Sequence, residues 1–85
     1  MGSWVDSPEA EIVRRVLVEA RHAQRLTQRD LAARLGKSPT FVAQVELGQR
    51  RVDVLQFIAI TRAIGIDAAE AFSRVAAAVA GQPRI

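Results

Sequence analysis

Apolar residues along this chain recur at intervals of three and four, the period of an amphipathic helix. No stretch alternates with the period of two long enough to argue a strand. The first periodic run places Ile12, Val13, Val16, Leu17 and Ala20 on one face and predicts a helix over about 8–24. A second run buries Leu31, Ala32 and Leu35 on a helix over 28–35, and a third buries Phe41, Val42 and Val45 over 39–47. The fourth, over 54–64, is apolar almost all round, with Val54, Leu55, Phe57, Ile58, Ile60 and Ile64. The fifth, over 68–80, carries a stripe of Ala68, Phe72, Val75 and Val79. The pattern predicts an all-α fold, a bundle of five helices.

Polar residues mark where each helix starts. Ser7-Pro8 and Ser38-Pro39 each pair an N-cap hydroxyl with a proline at the first helical position, where the missing N–H costs nothing. Thr27 with Asp30, Asp53 with Gln56 and Asp67 with Glu70 have the spacing of capping boxes. Gly36, Gly48, Gly65 and Gly81 follow the periodic runs, where a helix end calls for left-handed backbone. Only Gly36, Lys37 and Ser38 separate the second helix from the third, and two short helices joined so closely form a helix-turn-helix pattern. The 85 residues suffice for one domain, expected over 8–81, between a flexible segment 1–7 and a tail 82–85. Trp4 is expected either to cover an edge of the core or to lie in an arm.

Composition narrows the chemistry. The chain has no cysteine and one histidine, His22, so neither a zinc site nor a nucleophile–base triad can be assembled. Its carboxylates are scattered singly, and no glycine-rich phosphate loop occurs. No catalytic residue, metal ligand, cofactor or small-molecule ligand is therefore expected. The start of the chain lacks a signal-peptide pattern, and the longest apolar tract, FIAITRAIGI, is too short and too polar to span a membrane. The expected location is cytoplasmic. Charge is unevenly distributed: from Arg21 to Arg51 seven basic residues face two acidic ones, a net +5 in a chain whose total is +3. A basic middle suits a polyanion-binding face, although a solvated helix surface would look the same.

The stretch LTQRDLAARLGKSPTFVAQVELGQRR resembles the helix-turn-helix of the Cro/repressor (XRE) family of bacterial and phage regulators. Leu26-Thr27-Gln28 matches the lead-in, Leu31-Ala32 the packing face of the first motif helix, and Gly36 the turn. Phe41-Val42 and Val45-Glu46-x-Gly48 match the recognition helix and its exit. RRVDVLQFIAITRAIGID resembles the helix that follows, and the likeness covers about Ile12 to Phe72. It implies a lambda-repressor-like bundle and a transcriptional regulator of double-stranded DNA. In such a regulator the third helix enters the major groove.

With Phe41, Val42 and Val45 turned to the core, Thr40 and Gln44 remain for base reading. Gln44 suits adenine, Thr40 suits a hydrogen bond or a thymine methyl, and Lys37 supports them from the turn. The resemblance implies a phosphate contact for Gln28. Ser38 combines capping with a similar position, and Gln49, Arg50 and Arg51 are expected to hold the DNA backbone. The resemblance also implies a buried ion pair between Arg21 and Glu46. Arg25 stands where the family often has a residue tolerant of left-handed backbone. Leu47 replaces a usual polar residue, and Pro39 and Ala43 leave the reading face short of hydrogen-bonding groups.

One small domain makes few base contacts, so a homodimer on a two-fold operator is expected. Phe72, Val75 and Val79 are the candidate interface, with one side of the fourth helix; the alternative is that both helices only close the core. The alternative is a protein-interaction module of antiactivator or antitoxin-like kind, in which Pro39, Ala43 and Leu47 would belong to an apolar binding face. Control by a regulatory protein partner is compatible with either reading.

Overall fold

The computed structural model describes residues 7–83, and Trp4 lies outside them. Five helices follow one another: α1 Pro8–Ala23, α2 Gln28–Leu35, α3 Pro39–Glu46, α4 Val54–Ile64 and α5 Ala68–Ala78. Each begins at the polar residue that the sequence marks. Ser7 accepts from the Ala10 amide and Ser38 from the Phe41 amide, each with proline at the next position. Thr27/Asp30 and Asp53/Gln56 form complete capping boxes. At α5 only half the box forms. Asp67 accepts the Glu70 amide at 3.0 Å, while the Glu70 carboxylate turns toward Arg74 at 3.7 Å.

Three helices end slightly earlier than their apolar pattern predicts. α1 stops at Ala23 because Arg25 adopts φ 57°, which lets the amides of Arg25 and Leu26 bond back to the carbonyls of His22 and Arg21. α3 stops at Glu46 for the same reason: Gly48, at φ 79°, sends its amide to Val45 and that of Gln49 to Gln44. α5 stops at Ala78, and Val79 is already extended.

α2 packs against α3 and α4, while α1 crosses α3, α4 and α5. Val16, Leu17, Ala20, Leu31, Ala32, Val42, Val45, Phe57, Ile60, Ile64, Ala71 and Val75 make one continuous core. The α5 stripe needs correction. Its buried side is centred on Ala71 and Val75, because the small Ala71 side chain, 1% exposed, allows close approach to the bundle. Val75 is therefore in the core at 8% exposure, and Val79 packs against it. Phe72 stays 60% exposed and touches the Phe57 ring edge-on, with centroids 6.4 Å apart.

Candidate nucleic-acid interface

The helix that would meet DNA is fixed from behind by one carboxylate. Arg21 on α1 donates through Nε to Glu46 Oε2 at 2.7 Å and through Nη2 to Oε1 at 3.0 Å. Its Nη1 donates to the Leu26 carbonyl at 2.7 Å, and both side chains of the pair are 9% exposed. Gln28, at the start of α2, adds a bond from Nε2 to Glu46 Oε1 at 2.8 Å. α1 and α2 thus converge on the last residue of α3, and Arg21 also ties in the turn between them through Leu26. Among the described residues no buried side-chain nitrogen or oxygen lacks a hydrogen-bond partner. Such a pair adds little net stability over an apolar replacement, but removing one partner strands the other charge.

This arrangement keeps Arg21 in the scaffold, as the resemblance implies, and redirects Gln28. The Gln28 side-chain amide points inward to Glu46 and not outward. Arg34 is engaged as well, donating from Nη1 to the Ala63 carbonyl at 3.0 Å near the end of α4. Asp30, one of the two acids of the basic stretch, is held below the usual aspartate range. The cause is first the Thr27 backbone N–H that it accepts, then its side-chain bond with Thr27.

The outer side of α3 has a centre that the periodicity did not reveal. Phe41 is only half-buried, and two cations lie over its ring: Lys37 Nζ at 5.5 Å and the Arg50 guanidinium carbon at 5.0 Å from the centroid. Arg50 does not extend away from the loop. It folds back across α3 and donates from Nε to Gln44 Oε1 at 2.8 Å. Lys37, Phe41, Gln44 and Arg50 therefore form one cluster. The four-residue spacing of Lys37 and Phe41 is the only trace of it in the sequence.

Thr40 and Pro39 are exposed beside the cluster, and Ala43 is half-buried. Ser38 is engaged as the cap, accepting from the Phe41 amide at 3.2 Å. Gln49 and Arg51 are exposed on the loop after α3, and Leu47 is exposed at the helix end. Arg14 of α1 lies directly against Gly48, where an added Cβ would collide with its guanidinium. No sequence pattern pointed to that contact.

A second surface lies between α4 and α5. A groove of about 640 Å³ is lined by Val13, Val52, Val54, Phe57, Ile58, Ile66 and Phe72, among others, and by no residue of α2 or α3. Val54, Leu55 and Phe72, all well exposed, stand at or beside it. Among the described residues no three metal-ligating side chains come together, and no helix is long and apolar enough to cross a membrane.

Comparison with known proteins agrees with this geometry. A family model described as helix-turn-helix matches residues 17–70. Among solved structures, an XRE-family-like protein from Pseudomonas syringae pv. tomato str. DC3000 is 39% identical, with a TM-score of 0.77 over 81% of this chain and 84% of that one. The clp gene regulator ClgR from Corynebacterium glutamicum has the same fold at 23% identity and a TM-score of 0.76, over 91% of this chain and 100% of that one. Among curated proteins none gives a significant match. With the matched segment running from the middle of α1 into α5 and the turn, caps and recognition helix all in place, the chain belongs to the XRE-type helix-turn-helix family of DNA-binding transcriptional regulators.

Proposed function

We propose that the protein is a sequence-specific regulator that binds a two-fold operator as a homodimer, with α3 in the major groove. The observation that carries this reading is the outward face of α3. Thr40 and Gln44 are presented on a helix whose far side is fixed by the Arg21–Glu46 pair, with Lys37 in the turn before it. A fixed helix is what base reading requires, because hydrogen bonds to base edges tolerate little misplacement. The exposed Gln49 and Arg51 hold the backbone, together with the amide-bearing starts of α2 and α3 at Gln28 and Ser38, whose dipole ends favour phosphate.

Dimerisation is assigned to the α4–α5 face. Exposed Phe72 acts there with Val54 and Leu55, in place of the buried Val75. With two recognition helices about one DNA turn apart, the base contacts double. Control comes through protein concentration or a regulatory protein partner.

A duplex titration across salt concentrations tests the reading. Binding through several phosphates should weaken steeply and linearly in log salt. Arg51→Ala should lower affinity for specific and random duplex alike. Absence of any duplex binding at low salt would remove the DNA reading. It would leave the second reading, a protein-interaction module, which is favoured by the open groove and exposed Leu47.

A further inference from the structure

We infer that Arg50 acts in base reading, not as a backbone clamp, and that the Lys37–Phe41–Gln44–Arg50 cluster selects guanine. This inference rests on α3 entering the major groove. Its starting point is the 2.8 Å bond from Arg50 Nε to Gln44. A guanidinium only donates, so the Gln44 atom facing it must be the carbonyl oxygen. That fixes the orientation of the amide: Oε1 is held by Arg50, and the NH₂ group is left to the surroundings.

Glutamine recognises adenine by accepting from N6 and donating to N7, which requires its carbonyl oxygen. Here Arg50 occupies one of that oxygen's two lone pairs and sets a cation beside it, so an incoming adenine N6 donor meets competing donors. What the cluster offers is donors: the Lys37 ammonium, the Gln44 NH₂ and the remaining N–H groups of Arg50. Guanine presents two acceptors, O6 and N7, on its major-groove edge, and is the base that donor-only side chains read best.

The aromatic ring explains why Arg50 suits this task. Its guanidinium lies 5.0 Å from the Phe41 centroid, and Phe41 itself packs against the core. The side chain is thereby held near the middle of α3 before DNA arrives, which reduces the rotamer freedom lost on binding. A clamp on a phosphate beyond the helix end would gain nothing from folding back over the reading face.

The experiment is selection of duplexes from a random library with the full chain, followed by direct binding to the selected site and its guanine-to-adenine variants. Wild type should select guanine at a position where adenine binds at least roughly tenfold more weakly. Arg50→Lys keeps the charge but loses both the planar stacking and the Nε bond. It should bring that preference to within about threefold while weakening random duplex no more than about threefold. Phe41→Leu, with its helical content verified by circular dichroism, should act in the same direction. Selection of adenine by wild type, or an unchanged guanine preference in Arg50→Lys, overturns the inference while leaving the regulator reading intact. A wild-type chain that binds no duplex at low salt overturns both.

Discussion

At the end of α3, α1 and α2 both donate to the Glu46 carboxylate, and both of its oxygens are filled by Arg21 and Gln28. Between α4 and α5 the opposite holds: Val54, Leu55 and Phe72 are left 60–76% exposed beside an open apolar groove. The first region is completed within one chain, so a change there acts on folding before it acts on anything else. The second is left open to its surroundings. Changes there should scarcely affect folding and should act on whatever the surface meets. Sensitivity to substitution therefore distinguishes scaffold from contact surface better than burial does.

The largest expected effect comes from breaking the completed region. Glu46→Ala strands the Arg21 guanidinium at a site where it is 9% exposed and should cost about 3–5 kcal/mol in chemical denaturation. The double change Arg21→Met with Glu46→Leu should recover most of that loss. A cost below about 1 kcal/mol for the single change would mean that the pair is not held as described. Next is Gly48→Ala, which meets both a positive φ and the Arg14 side chain. It should cost more than about 1 kcal/mol, read by thermal melting.

The open region supplies the contrast. Leu55→Lys, at a residue 76% exposed, should change stability by no more than about 0.5 kcal/mol. In sedimentation at tens of micromolar it should shift the protein toward monomer. A large loss of stability with no change in mass would reverse the roles of the two regions.

Smaller effects sharpen the edges of the scaffold. Arg25→Gly removes a non-glycine residue from φ 57° beside the Leu26 carbonyl that Arg21 uses, and should gain about 0.5 kcal/mol. The left-handed penalty it relieves is partly offset by the greater freedom of an unfolded glycine. Smallest is the effect of acid on the Asp30 cap. Its folded pKa is lowered by Thr27, so the cap's contribution is fully present above the ordinary aspartate value. It is lost as the pH falls through the lowered folded value. NMR titration of the Asp30 carboxyl should show that lowered midpoint, and Thr27→Val, which keeps the backbone N–H, should return it only a small part of the way.

Much of the scaffold was legible because its signals are local. Ser7, Thr27, Ser38, Asp53 and Asp67 each start a helix, and each needs only the amide three residues ahead. The Arg21–Glu46 pair was legible only through family resemblance, since 25 residues separate its partners. Side chains that reach across the fold were not legible at all. Arg34 finds a carbonyl on α4, Gln28 turns in to Glu46, and Arg50 folds over Phe41. Their positions depend on how helices cross and on long rotamers, and neither leaves a period in the sequence. The periodicity of α5 left Val75 open between interface and core; it lies in the core because the small Ala71 beside it sets the contact with the bundle.

Gly48 carries a consequence for how this chain can vary. Two independent objections meet there: a backbone φ of 79° and an Arg14 side chain occupying the place of a Cβ. Shortening Arg14 answers the second and leaves the first untouched. A search for revertants of a Gly48 variant should therefore return partial rescues at Arg14 and full rescue at position 48 itself. Position 48 is thus a point where the repair routes open to most surface loops are closed, although it lies on the loop that carries Gln49, Arg50 and Arg51.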